Sequence, residues 1–136
     1  MASVSATAIV PAGLLRSSHD ESTMICTHHI KDSVCVVSIE GNIALDGVNE
    51  AKSYLKPHLD SPDVKGLVMN FEKVNFIDSS GIGLIVSIFK TMQQKEGKFA
   101  LTNLSKKNEE IFSITRLNKI LDIYDSENEA LTAMKG

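Results

Sequence analysis

Val74-Asn75-Phe76-Ile77-Asp78-Ser79-Ser80-Gly81-Ile82-Gly83-Leu84 is the stretch whose reading decides the fold. Its first four residues form a β-branched and aromatic run that suits a strand. Asp78, Ser79 and Ser80 are all helix-capping residue types. Beyond them Ile82, Ile85, Phe89 and Met92 recur at spacings of three and four, the inward stripe of one helix. Gly97 is a natural stop, so this helix is expected to end near residue 96. A strand that turns directly into a helix is half of a strand–helix–strand unit.

Working outward, the same alternation continues on both sides. Residues 66–71 are a short apolar run, apt for a strand buried on both faces. The run at 34–39 is β-branched, and 24–29 reads as a further strand across the turn Lys31-Asp32-Ser33. Gly41-Asn42 is expected to break the sheet pattern. Asp46 is the candidate N-cap of a helix to about residue 59, with Val48, Ala51, Leu55 and Leu59 on one face. Pro57 predicts a kink or an early end near Lys56. Toward the C-terminus, 99–102 reads as a strand and 108–115 as a helix with Ile111, Phe112 and Thr115 facing inward. Residues 120–123 read as a strand and 126–134 as a last helix. This order predicts an α/β domain: a mixed sheet of about four to five strands with about four helices, its parallel strands joined by right-handed crossovers. Val68, Phe71, Ile85, Phe89 and Leu101 are the expected core.

Composition bounds the rest. The chain has 136 residues, 43% of them hydrophobic, enough for one domain without metal or disulfide staples. Residues 1–22, rich in Ala, Ser and Thr, are expected to be an arm without fixed structure or an added extension, with one domain over 23–136. The short apolar stretch in the arm follows no basic segment, which argues against a secretory signal. The net charge is −3 and the lysines are scattered, so no nucleic-acid partner is indicated. No apolar run approaches a membrane span. Cys26 and Cys35 lie in strand-like stretches and read as buried thiols of a reducing cytoplasm, with a disulfide between neighbouring strands as the alternative. His28-His29 beside Cys26 matches no zinc spacing, so neither a metal nor another cofactor is expected.

The turn itself admits two readings. Asp78 and the serines serve as ordinary caps, and the glycines let helix and sheet pack closely. Alternatively, the free N–H groups and positive dipole end of the helix hold an anion, and a serine placed there carries a phosphate. In that case Gly81 and Gly83 let a partner approach the backbone. Catalytic readings fail on the residues: G-x-S-x-G needs a Gly where Asp78 stands, and no Lys completes a Walker loop. Leu84 and Ile88 fall off the inward stripe and are candidates for either the core or a partner surface.

The stretch 74–84 resembles the signature of anti-sigma factor antagonists, the free-standing STAS domains of bacteria. The resemblance extends to Ser38-Ile39-Glu40-Gly41-Asn42-Ile43, to Gly66-Leu67-Val68-Met69-Asn70-Phe71, and to Ile111-Phe112-Ser113-Ile114-Thr115-Arg116-Leu117 with the segment after Ile123. It covers about residues 23–134.

The resemblance implies a STAS-like fold and a non-catalytic switch. Such proteins bind an anti-sigma factor that is also an ATP-dependent serine kinase, and so free the sigma factor. The kinase phosphorylates the first serine of the motif, here Ser79, and a PP2C-type phosphatase resets the switch. The implied partner surface comprises Asp46, Asp78, Ser79, Ser80, Gly81, Ile82, Gly83, Leu84 and Ile88. One departure stands out: family members often carry an Asp in a G-E-L-D turn, whereas this chain reads Gly41-Asn42-Ile43-Ala44 and has its acid displaced to Asp46. The alternative function is a STAS interaction module in another assembly, such as a signalling scaffold or a lipid-transport complex. A transport scaffold has no evident need of a phosphorylatable Ser79.

Overall fold

Three adjacent strands carry the same alternation of side chains, and that alternation builds the molecule in layers. The computed structural model describes residues 4–11 and 23–135. In chain order the elements are β1 (Val4–Pro11), β2 (Thr23–Lys31), β3 (Val34–Ile43), α1 (Leu45–Asp60), β4 (Gly66–Asn70), β5 (Val74–Ile77), α2 (Ser79–Gln94), β6 (Lys98–Thr102), α3 (Lys106–Ile114), a 3-10 turn (Leu117–Lys119), β7 (Asp122–Tyr124) and α4 (Glu127–Lys135). The sheet runs β1-β2-β3-β4-β6-β7, and β5 pairs with β3 off this path. The pairs β1–β2 and β2–β3 are antiparallel, while β3, β4, β6 and β7 are mutually parallel.

Cys35, Val37, Leu67, Met69, Phe99 and Leu101 point to one face, where they meet Ala51 and Leu55 of α1, Ile85 and Met92 of α2 and Phe112 of α3. The residues between them, Val36, Val68 and Ala100, are directly in register across the three strands. They point to the other face, where Ala130, Leu131 and Met134 of α4 cover them. The period of two is the pleat of a strand, and a parallel sheet covered on both faces reads as a continuous apolar run. The expected core residues Val68, Phe71, Ile85 and Leu101 are all fully buried. Phe89 is half-buried and packs against the core.

Several local expectations are corrected. The sequence reading gave the arm no fixed structure, yet Val4–Pro11 forms β1 on the free edge of β2, from Val4↔Ile30 to Pro11↔Thr23. An unpaired edge strand offers a row of free N–H and C=O groups, and a β-prone segment nearby fills it despite its bland composition. Residues 1–3 and 12–22 lie outside the described residues. With β1 the mixed sheet has seven strands among the described residues, where about four to five were expected. Strand β3 continues through Gly41-Asn42 as an irregularity in its pairing with β5, and Gly41 takes φ 113°, which a side chain rarely adopts.

Helix α1 starts at Leu45 with Ala44 as N-cap, so Asp46 is a first-turn residue rather than the cap. The helix also runs through Pro57 to Asp60. Leu55 and Leu59, on either side of the proline, hold that turn on the core. Lys95 donates from Nζ to the carbonyl oxygens of Leu59 (2.9 Å) and Ser61 (2.8 Å), closing the helix end. At the C-terminal third, α3 starts two residues early because Ser105 caps it, its hydroxyl accepting from Asn108 N–H. Thr115 is exposed, and Ile120 lies outside β7 with its side chain in solvent.

Candidate partner-binding site

Strands β3 and β5 run parallel, so their carboxyl ends meet at one end of the molecule. There the turn into α1 and the turn into α2 stand side by side, with Ile43 paired to Ile77 and Asn42 to Phe76. The Asp78 N–H donates to the Ile43 carbonyl at 3.2 Å. The segment bearing Asp46 and the segment bearing Ser79, remote in sequence, are thereby neighbours.

Asp78 is the N-cap of α2. Its backbone is extended (φ −103°, ψ −172°), and its Oδ1 accepts from the Gly81 N–H at 2.9 Å. Its carbonyl accepts the first bond of the helix, from the Ile82 N–H at 2.9 Å. This is the arrangement that makes Asp a strong cap. Ser79 and Ser80 are then the first two helical residues, whose N–H groups have no partner within a helix. Ser79 is exposed and Ser80 half-buried.

The two glycines have different environments. Gly81 is buried, and a Cβ there would overlap the Ile43 carbonyl oxygen and stand 2.5 Å from Ile77 Cγ1. Its lack of a side chain serves the contact between helix and sheet, not the approach of a partner. Gly83 is exposed, and a Cβ there would meet nothing within 4 Å. The open surface of α2 beside Ser79 is therefore the flat patch at Gly83.

Leu84 and Ile88 are corrected to core residues, 2% and 1% exposed. They form the floor between α1 and α2, beneath a shallow groove of about 300 Å³ bordered by Lys52, Lys56, Ser87 and Thr91. Because α2 lies over the sheet and beside α1, its buried arc is wider than the stripe read from spacing. Ile82 is half-buried against the core.

Phe76, which the sequence reading counted into the strand without marking it for the site, is 41% exposed. The burial pattern of β5 is buried–exposed–exposed–buried, because its pairing with β3 skips Asn75, with Val74 opposite Gly41 and Phe76 opposite Asn42. The nearby helix α3 is fastened to β5 by Asn108, whose Nδ2 donates to the Val74 carbonyl at 3.3 Å. The preceding Lys107 thereby holds its ammonium 5.7 Å from the centre of the Phe76 ring. Neither residue stands out in the sequence; the only signal is an aromatic three positions before Ser79.

Among the described residues no cluster of His, Cys, Asp and Glu could hold a metal ion, and no helix is long and apolar enough to cross a membrane. Cys26 and Cys35 are free buried thiols, both pushed up to about 11 by burial. Cys26 is paired with Ile39 and Cys35 with Ile30, so the two do not face each other across the ladder.

The fold is shared with known proteins. An anti-sigma F factor antagonist of Paenibacillus polymyxa is 26% identical over 108 residues, 79% of this chain and 91% of that protein. The crystal structure of an anti-sigma factor antagonist from Mycobacterium paratuberculosis superposes with a TM-score of 0.78 at 21% identity, over 88% of this chain and all of the other. The anti-sigma factor antagonist SpoIIAA, known in unphosphorylated and phosphorylated forms, shares the fold at 22% identity with TM-scores of 0.64 and 0.61. The overlap takes in 79% and 76% of this chain and 94% and 93% of SpoIIAA. The family model for the STAS domain matches residues 27–130, and the chain belongs to the STAS domain family.

Proposed function

We propose that this chain is an anti-sigma factor antagonist that is not itself an enzyme. It works in the cytoplasm by binding an anti-sigma factor with serine kinase activity, which releases the sigma factor. Phosphorylation of Ser79 ends the complex, and a PP2C-type phosphatase restores it. The observation that carries this reading is the position of Ser79: exposed, first in α2, next to the open surface at Gly83, with Ser80 half-buried behind it. The names of the relatives point the same way, since an anti-sigma F factor antagonist matches over most of the chain.

The physics of the switch follows from that position. A phosphate adds about −1.5 to −2 charges and three acceptor oxygens. The free N–H groups of the first helical turn accept such a group locally, a contact of about 0.3–1 kcal/mol. A partner packed on the bare turn does not, because it would bury that charge or clash with it. The fold itself has no need to change. Asp46, in the adjacent turn, is proposed to serve where relatives carry the acid of their G-E-L-D turn.

The test is incubation of the full chain with ATP and an anti-sigma factor kinase, read by intact mass. One phosphate on the wild type, mapped to Ser79, supports the reading. A scaffold or transport module would bind its partner and gain no phosphate.

A further inference from the structure

Resting on the function proposed above, the geometry points to a second contact of the same partner: the exposed Phe76 ring, with the Lys107 ammonium over it, is the anchor on which the kinase seats beside Ser79. The surface fits an apolar pocket rimmed by carboxylates.

Phe76 precedes Ser79 by three residues, so the two Cα atoms are at most about 11 Å apart. A specific protein partner covers about 800 Å² of each surface, a disc of about 16 Å radius. An enzyme that brings a γ-phosphate to Ser79 Oγ therefore covers Phe76 as well. Among the described residues the large exposed apolar side chains are Phe76, Ile114 and Ile120, and Phe76 is the one beside the serine. Aromatic side chains near the centre of an interface carry a disproportionate share of binding.

The flanking charge defines what the partner must present. Lys107 stands 5.7 Å from the ring centre, in the first turn of α3, and Lys106 beside it is exposed. The amino end of α3 adds its own positive potential. Ile114, 75% exposed, lies seven residues after Lys107, hence two turns along the same helical face. The surface thus runs from Ser79 over Phe76 to Lys106 and Lys107 at the amino end of α3, where exposed Glu109 and Glu110 bound the positive patch. An acidic rim in the partner would complement it, and it would set the docking register independently of the serine.

The test uses the full chain and an anti-sigma factor with serine kinase activity. Phe76→Ala is expected to raise the Kd for the unphosphorylated complex at least about tenfold. It should raise KM for the chain as substrate while kcat stays near the wild-type value. Lys107→Glu, at an exposed position of α3, is expected to weaken binding in the same direction, more at low salt than at high salt. Both variants should keep the wild-type circular dichroism. Binding of Phe76→Ala within about twofold of wild type overturns the inference while leaving the function intact. A dimer of the free chain that Phe76→Ala abolishes, with kinase binding unchanged, overturns it too, since a second copy would then be the occupant. Absence of any labelling of the wild type overturns both readings at once.

Discussion

Gly81 lies directly against the carbonyl oxygen of Ile43, so close that no side chain fits between helix α2 and strand β3. Ile43 also accepts the Asp78 N–H through that oxygen. One carbonyl thus fixes both the height of the turn and the approach of the helix. Gly81→Ala is expected to destabilise the fold by about 1–3 kcal/mol, because the atom met is backbone and cannot rotate away. Gly83→Ala should instead stabilise it by up to about 1 kcal/mol through helix propensity. Urea titration of the two variants checks the contrast. If a partner packs on the bare turn, Gly83→Ala also weakens the complex, and the two glycines separate into a folding role and a docking role.

The cap and the proposed acceptor are different residues. Asp78→Ala removes the bond to Gly81 N–H and should cost about 1 kcal/mol. Ser79→Ala removes no bond that caps the helix and should change stability by less than about 0.5 kcal/mol. With the kinase present, Ser79→Ala should bind and take up no phosphate, and Ser80→Ala should still be labelled. Phosphorylation of Ser79→Ala at the wild-type rate would transfer the assignment to Ser80. Ser79→Asp supplies one charge only, so it should weaken binding less than a phosphate does.

Leu84→Ala and Ile88→Ala remove fully buried side chains and are expected to cost about 2–5 kcal/mol each. Any loss of partner binding in these variants should track the unfolded fraction. Binding per folded molecule, measured well below the transition, should stay near wild type. A selective binding loss with normal stability would return these residues to the interface.

A pH dependence is built into the contact between β2 and α1. The Nδ1 of His28 lies 2.6 Å from the Tyr54 hydroxyl, and its ring centre 4.3 Å from that of His58. Burial holds both imidazoles below their ordinary value of 6.5, with His29 adding to the effect on His28 and His28 to that on His58. Tyr54 is pushed up to about 12, first by burial and then by Cys26 and Cys35, so its hydroxyl stays protonated. The unfolded chain therefore binds more protons than the folded one between the lowered values and 6.5. Stability from this cluster is complete above 6.5 and falls away as pH drops below it. The urea midpoint should be lower at about pH 5.5 than at about pH 7.5. His58→Gln should flatten that slope; an unchanged slope would place the source elsewhere.

Sequence alone determined the class of fold and the place where α2 begins. The apolar runs at 34–39, 66–71 and 99–102 and the helical stripes between them specify strands and helices by period, because pleat and helix repeat are local properties of the chain. The capping cluster at Asp78 is equally local, and the structure forms the cap at that residue. What the tertiary structure decided is which faces are left over. Leu84 and Ile88 are buried because α1 packs beside α2, a contact that no spacing within α2 encodes. Phe76 is exposed where the pairing of β5 with β3 skips Asn75, a shift visible only once β5 lies beside a strand more than thirty residues earlier. Val4–Pro11 becomes a strand because β2 offers it an unpaired edge. Ser79 and Ser80 are chemically equivalent in the sequence, and only the docking of α2 against Ile43 turns the first toward solvent and the second partly inward. Each of these depends on a neighbour distant along the chain, and burial is a property of such neighbours rather than of the residue itself.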